Sequence, residues 1–114
     1  MFAGPNPAYP VLTFDDDGYP YVLRAPEDLL GHFESPHYAA EFQAAFDSAG
    51  TPLCLEWTAA GVPRLVPVRG DAGALLSLVR RATTIRGALM LDLAGFERLS
   101  AGEVVRRVCQ ALPG

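Results

Sequence analysis

The chain contains no lysine, and all nine of its basic residues are arginine. It therefore has no amine for Schiff-base chemistry and no lysine for a phosphate-binding loop. Cysteine is also scarce: Cys54 and Cys109 are the two present, and they form no Cys-x-x-Cys pair. We expect both thiols to be free and packed as small hydrophobic side chains, without a zinc or redox site.

Long apolar runs are absent as well. No run approaches the roughly 20 residues that cross a bilayer, and residues 1–7 have neither the basic region nor the apolar stretch of a secretion signal. We therefore expect a cytoplasmic protein with no membrane partner. The length of 114 residues suits one domain over residues 9–114, preceded by a flexible N-terminal arm over residues 1–8.

One pattern occurs three times: an aromatic residue, Asp or Thr, two variable residues, Gly, one residue, Pro, two residues, and Leu or Val. Asp or Thr can accept hydrogen bonds from the backbone of a turn, and Gly can adopt the positive φ that closes a type I turn with a bulge. Each copy therefore predicts a β-hairpin. By their residues, the first turn is 15–18, the second turn is 47–50 and the third turn is 58–61.

Strands are predicted on both sides of the first and third turns, over residues 9–14, 19–24, 52–57 and 62–68. Because Pro20 has no N–H to donate to a ladder, its strand is expected at a sheet edge or a bulge.

Residues 36–47 fit two patterns. Tyr38, Phe42 and Phe46 recur every four residues, as on a helix, but together with Ala40 and Ala44 they also fill every second position, as on one face of a strand. The second turn requires a strand before it, and we therefore predict a strand.

Helical periodicity begins in the second half of the chain. An apolar stripe after Asp71, the predicted N-cap, and another after the capping box at residues 100–103 predict two helices. A short helix is predicted over residues 26–30, closed by Gly31, and residues 88–93 are a candidate sixth strand. Strands first and helices last predict an α+β fold: an antiparallel, meander-rich sheet of five or six strands, with two C-terminal helices packed on one face.

The two halves of the chain differ in charge. Residues 1–57 carry nine acids against one arginine, a net charge of −8, whereas residues 58–114 carry eight arginines against four acids, a net charge of +4. Acids steer a basic protein partner and aromatic side chains anchor it, so the acidic half predicts a partner-binding face. Alternatively, the halves neutralise each other across the fold and the aromatics fill the core. The candidate binding residues are Asp15, Asp16, Asp17, Tyr19, Tyr21, Glu27, Asp28, Glu34 and Tyr38.

Two clusters resemble metal sites in composition but not in spacing. His32 and His37 flank Glu34, and a separation of five residues does not place both imidazoles on one helical face. Residues 15–17 are three successive acids, but a calcium loop needs ligands at alternate positions and a closing Glu, and Pro20 interrupts the pattern. We predict no metal and no cofactor.

Catalytic motifs are missing too, since the chain has no nucleophile elbow and no glycine-rich phosphate loop. We predict no catalytic residues and favour a non-enzyme. The alternative is a small enzyme or ligand-binding domain with a pocket between sheet and helices. It would use His32 or His37 as acid and base near Glu34, with Arg24 or Arg64 holding an anionic group.

Two further interpretations concern arginine and the sheet edge. Arg80, Arg81, Arg106 and Arg107 would form a phosphate-binding stripe if the two helices lay side by side. With no lysine and a net charge of −4, however, nucleic-acid binding is not expected, and arginines that complement helix C-termini are the simpler interpretation. A homodimeric accessory protein, paired through the edge that carries Pro20, is the third hypothesis.

A resemblance is carried by two stretches, LTFDDDGY at residues 12–19 and FDSAGTPL at residues 46–53. They resemble small acidic bacterial proteins of the toxin-immunity type, over residues 9–69 and through turn motifs. Such proteins offer no catalytic residues to transfer. The resemblance implies a one-to-one inhibitor that masks a basic active site by surface complementarity.

Overall fold

The computed structural model describes residues 7–32, 42–69 and 72–113. It confirms the α+β prediction, with one five-stranded antiparallel sheet and helices beside it. The strands are β1 (Val11–Asp15), β2 (Pro20–Leu23), β3 (Phe42–Phe46), β4 (Pro52–Trp57) and β5 (Pro63–Pro67); the helices are α1 (Glu27–His32), α2 (Leu75–Thr84) and α3 (Ala101–Ala111), with a short 3-10 helix over Phe96–Arg98.

The strand order in the sheet is β2-β1-β3-β4-β5. An uninterrupted meander would place β3 beside β2, but β3 pairs with β1, and α1 lies in the connection between β2 and β3. β1 suits an interior position because Val11 to Phe14 are at most 1% exposed. β2 forms one edge, which confirms the edge predicted from Pro20.

The sheet face toward α2 and α3 carries the larger core. Leu12 and Phe14 of β1 and Phe46 of β3 pack against buried residues of both helices. The rings of Phe14 and Phe46 meet edge to face, with their centroids 6.4 Å apart. The two C-terminal helices therefore pack on one face, as predicted; their buried residues include Leu75, Val79 and Ala82 of α2 and Val104, Val105, Val108 and Cys109 of α3.

The opposite sheet face carries a second core, beneath α1. Val11, Leu23, Leu53 and Leu65 cluster with Leu29 of α1. Because successive strand residues point to opposite faces, neighbouring residues of β1 enter different cores. This second layer was not predicted from the sequence, although the short helix that forms it was.

Three details of the helices and their connection differ from prediction. α2 begins at Leu75 with Ala74 as its N-cap, because residues 72–74 form a turn first; a cap at Asp71 would come too early, and that prediction is wrong. Residues 88–93 contain no strand, since the segment packs toward the helices through the buried Leu89. α1 continues through Gly31 instead of ending there.

The start of α3 follows the predicted capping box in part. Ser100 Oγ accepts a hydrogen bond from the backbone N–H of Glu103 at 3.2 Å. The Glu103 carboxylate pairs with Arg106 at 3.1 Å and with Arg107 at 3.5 Å. These contacts hold the pKa of Glu103 below its ordinary value, and the hydrogen bond from Arg106 is the largest cause.

All three predicted turns form. Gly18, Gly50 and Gly61 have φ values of +88°, +84° and +79°. Each glycine N–H donates to the carbonyl of the Asp or Thr that opens its turn, at 3.0, 2.9 and 2.9 Å. The strand before the second turn is confirmed for residues 42–46, and residues 36–41 lie outside the described part of the chain.

The chain is attached to the second turn from Ala8 onward. The Ala8 N–H donates to Asp47 Oδ2 at 3.1 Å, and the Ser48 N–H donates to the Ala8 carbonyl at 2.8 Å. Of the arm predicted over residues 1–8, residues 1–6 lie outside the described part.

Candidate protein-binding surface

The described candidate acids lie at the two ends of the edge strand β2. The first turn, which holds three of them, precedes β2, and the first turn of α1, which holds the other two, follows it. At about 3.3 Å per residue, the two groups are separated by roughly 15–20 Å along the strand. Glu34 and Tyr38, also predicted for this face, lie outside the described residues. The other seven, here called the β2 surface, are Asp15, Asp16, Asp17, Tyr19, Tyr21, Glu27 and Asp28.

The three acids of the first turn differ in their hydrogen bonding and in their exposure. Asp15 Oδ1 accepts hydrogen bonds from the N–H groups of Asp17 at 3.0 Å and Tyr19 at 2.9 Å, and Oδ2 accepts one from the Tyr21 hydroxyl at 3.3 Å. Asp16 and Asp17 are exposed, and the three carboxylates lie within 4.8 Å of one another. Asp15 therefore builds the turn, whereas the side chains of Asp16 and Asp17 extend outward. Strands flank this turn, not the two helices of a calcium loop.

Tyr19 and Tyr21 form the aromatic part of the surface. Residues two apart on a strand share a face, and the two rings lie 6.1 Å apart with a tilt of 32°. Their residues are 39% and 38% exposed. Two large aromatic side chains are thus accessible next to carboxylates.

At the other end of β2, Asp28 fixes the entry to α1. Its Oδ2 accepts hydrogen bonds from the N–H groups of Arg24 at 2.9 Å and Ala25 at 3.2 Å. Burial raises the pKa of the nearby Tyr9, and the charges of Asp28 and Glu27 raise it further. Tyr9 therefore lies close to this acidic pair. No local pattern in the sequence connects Tyr9 to residues so distant in the chain.

The ion pairs among the described residues do not include a carboxylate of the β2 surface. They join Arg64 to Glu56 at 3.3 Å, and Arg106 and Arg107 to Glu103. Within the described ranges, the Arg64–Glu56 pair is the only one of these that joins the acidic half of the chain to the basic half, and it lies on β4 and β5. Within the described residues, the carboxylates of the β2 surface are therefore not neutralised by ion pairs.

Two of the arginines proposed as one stripe on α2 and α3, Arg81 and Arg106, lie at opposite ends of the sheet. A Cβ at Gly18 would lie 2.9 Å from Arg81 Nε, so the Arg81 side chain covers the first turn. Arg106 donates from Nη1 to the Ser48 carbonyl in the second turn at 2.7 Å. Because β1 and β3 are antiparallel, the turns that follow them are at opposite sheet ends. This placement does not form a continuous phosphate-binding stripe.

Arg24, one of the two arginines considered for an anionic ligand, instead supports α3. Its Nη2 donates to the carbonyls of Cys109 at 3.0 Å and Leu112 at 3.1 Å. A cation at a helix C-terminus satisfies carbonyls that lack partners in the helix and complements the helix dipole. No sequence signal identified this contact, since it joins residues from opposite ends of the chain.

The cysteines are both free, as predicted. Burial raises the pKa of the Cys109 thiol to about 11, with Arg24 acting in the opposite direction. The Cys109 thiol therefore stays protonated near neutral pH, which suits a core side chain and not a nucleophile.

A cavity of about 350 Å³ lies between α1 and β5. Arg64 is its charged lining residue, and Arg64 also bonds Glu56 at 3.3 Å. Arg64, one of the two arginines suggested to hold an anionic group, thus lines a cavity beside α1, and the ligand-binding alternative stays a prediction. Of the histidine and glutamate partners suggested for it, His37 and Glu34 lie outside the described residues. The lining residues are Pro7, Tyr9, Pro26, Leu29, Pro63, Arg64 and Leu65.

Among the described residues, no helix is long and apolar enough to cross a membrane. Comparison with protein-family models, with curated proteins and with solved structures finds no match for this chain. The resemblance to toxin-immunity proteins therefore stays a prediction.

Proposed function

We propose that this protein is a non-enzymatic protein-binding module, and that its β2 surface docks on a basic partner protein. One arrangement supports this proposal: Tyr19 and Tyr21 lie exposed between two groups of carboxylates that make no ion pair among the described residues. Carboxylates attract and orient a basic partner, and tyrosine rings supply rigid contact area at a low cost in side-chain entropy.

The more specific form of the proposal is an immunity-type inhibitor. Such a protein covers a basic active site and blocks it one-to-one. Asp16 and Asp17 would occupy the place of an anionic substrate, because their exposed carboxylates extend from a hydrogen-bonded turn. The field of a basic cleft would favour this approach over long range.

Affinity capture from the native host tests the proposal. We expect the tagged protein to retain a stoichiometric basic partner at about 50 mM salt and to release much of it at about 500 mM, because salt screens exposed charges. Tyr19→Ser should weaken retention by about tenfold or more, since an exposed aromatic anchor is lost.

Val62→Ser is the matched control for Tyr19→Ser. Val62 is 47% exposed, and it directly follows the third turn, beside the opposite sheet edge. Its replacement should leave retention unchanged. The proposal fails if no stoichiometric basic partner is retained at low salt, or if Val62→Ser weakens retention as much as Tyr19→Ser does.

A second candidate function is small-ligand binding in the cavity between α1 and β5. Its volume of about 350 Å³ falls within the usual range for ligand sites, and Arg64 would hold an anionic group. In a thermal screen of anionic metabolites, a ligand of this cavity raises Tm with increasing concentration. Arg64→Gln should abolish that rise. A flat response across the screen, or a rise that Arg64→Gln leaves intact, would exclude this function.

A further inference from the structure

Prolines interrupt the outward backbone donors of the edge strand β5. An edge strand directs every second N–H and C=O away from its sheet, where a further strand can pair. Val62 and Val68 make backbone hydrogen bonds toward β4, at 2.9 and 3.0 Å. The alternation of the ladder therefore directs the backbone of Pro63, Leu65 and Pro67 outward. Because proline has no N–H, Leu65 keeps the one outward donor of β5.

The other edge, β2, is interrupted by different means. The Tyr19 carbonyl accepts a hydrogen bond from the first turn at 3.1 Å, so the ladder directs the backbone of Pro20, Val22 and Arg24 outward. Pro20 has no N–H, and the Arg24 N–H donates to Asp28 Oδ2 at 2.9 Å. Of these three outward residues, Val22 is therefore the one whose N–H is neither missing, as in Pro20, nor bonded to Asp28, as in Arg24.

From these two edges we infer that the β2 surface binds a basic helix or loop through side chains, and that the partner does not add a strand to the sheet. This inference rests on the proposed function and names its docking mode. Strand addition gains affinity from a row of main-chain hydrogen bonds. With one outward N–H per edge, an added strand could still bond to the outward carbonyls, but it would lack most of the outward donors that a full row needs.

The side chains of the β2 surface match a basic helix or loop instead. An arginine or lysine from a helix or loop can lie over the rings of Tyr19 and Tyr21. Its charged group can reach the exposed carboxylates of Asp16 and Asp17 and form charge-assisted hydrogen bonds there. Neither contact uses the backbone of β2. The same edge composition argues against a homodimer paired through Pro20.

Sedimentation equilibrium tests, without any partner, whether the prolines prevent strands from pairing at the sheet edges. We expect the wild-type protein to stay monomeric at concentrations up to about 100 µM, where the association free energy needed for a dimer would be near −5.5 kcal/mol. Pro63→Thr combined with Pro67→Thr restores two outward donors on β5, and should strengthen self-association by about tenfold or more.

Pro113→Thr is the control for these proline changes, because Pro113 is exposed and follows α3. It should leave the protein monomeric. Circular dichroism checks that each variant is folded. A wild-type dimer with a Leu65 or Val22 amide protected from hydrogen exchange, or folded double variants that stay monomeric, would overturn the claim that prolines close the edges.

The docking mode is tested with two synthetic peptides of equal length and charge. One is an alanine-rich helical peptide with arginines on one face, and the other alternates threonine and arginine to favour a strand. In NMR titrations of the wild-type protein, we expect the helical peptide to bind at least as tightly as the alternating peptide. It should also shift the signals of Tyr19, Tyr21 and the first turn. Pro20→Thr, which restores a donor on β2, should improve binding of the alternating peptide alone.

Tighter wild-type binding of the alternating peptide, with protection of the Val22 amide, would overturn the inferred mode. If neither peptide shifts the β2 surface, the basic-partner proposal fails and the docking mode fails with it. Sedimentation would still decide whether the prolines close the edges, so the two failures are distinguishable.

Discussion

The first and second turns share a sequence pattern and a backbone conformation, but their surroundings differ. Their glycines have nearly equal φ values, +88° at Gly18 and +84° at Gly50. In the second turn, Asp47 is only 5% exposed and is bonded to Ala8. In the first turn, Asp16 and Asp17 are exposed and form no ion pair among the described residues.

Close packing against α3 explains the difference. A Cβ at Gly50 would lie 2.6 Å from Ala101 Cβ, and a Cβ at Gly102 would lie 2.7 Å from the Ser48 carbonyl oxygen. Two glycines therefore let the turn and the helix approach backbone to backbone. The third turn has no such neighbour, since a Cβ at Gly61 would meet nothing within 4 Å. The repeated pattern fixes a local conformation, and distant contacts decide whether that turn packs against the core or stays exposed.

The largest predicted effect is a difference in the stability lost when valine replaces the glycine of each turn. From the sequence alone, Gly→Val at each turn is expected to cost about 1–3 kcal/mol, because valine is strained at positive φ. The structure raises the expectation for Gly50→Val to roughly 3–6 kcal/mol, since the new side chain would also displace the backbone of α3. Gly61→Val should cost the strain alone, about 1–3 kcal/mol.

Gly18→Val should resemble Gly61→Val, because the atom nearest its new Cβ is on the flexible side chain of Arg81. Urea melts of the three variants measure these costs. Equal losses at Gly50 and Gly61 would show that α3 does not hold the second turn closely.

The next effect compares the aspartates that open the two turns. Asp47→Ala leaves three backbone N–H groups, those of Ala8, Ala49 and Thr51, without their acceptor in a partly buried site, at a cost of about 2–4 kcal/mol. Asp15→Ala should cost about 1 kcal/mol or less, because water can replace the acceptor at an exposed turn. The unfolding free energies of the two variants give the comparison, and similar values would contradict it.

A smaller effect is expected inside the turns. From the sequence, Ser48→Ala and Asp16→Ala are both expected to cost under about 0.5 kcal/mol, since neither position needs special dihedrals. In the structure, Ser48 Oγ donates to the Pro10 carbonyl at 2.7 Å, so Ser48→Ala should cost about 0.5–1.5 kcal/mol. Asp16→Ala keeps the original expectation. Thermal melts would contradict the larger cost expected for Ser48→Ala if that variant were as stable as Asp16→Ala.

Local chemistry was readable from the sequence because each signal lies within a few residues. The three turns, the Ser100 cap and the apolar stripe of α3 are of this kind. The pairing of β3 with β1, the layer beneath α1 and the cap that Arg24 provides for α3 depend on contacts between distant residues, which no local spacing encodes. For the candidate surface, the residues were predicted, but the contact of Asp15 with Tyr21 was not.

The central claim is that the exposed carboxylates of the first turn, those of Asp16 and Asp17, contribute to binding and not to stability. Its most direct test is Asp16→Asn combined with Asp17→Asn, measured in the native-host capture and in a urea melt. The matched control, Asp92→Asn with Glu97→Gln, removes the same charge from exposed residues between α2 and α3. We expect the first variant to lose about 0.5 kcal/mol or less of stability while its partner retention falls by about tenfold or more, and the control to retain the partner. Equal retention by both variants, or loss of the partner only through unfolding, would contradict the claim.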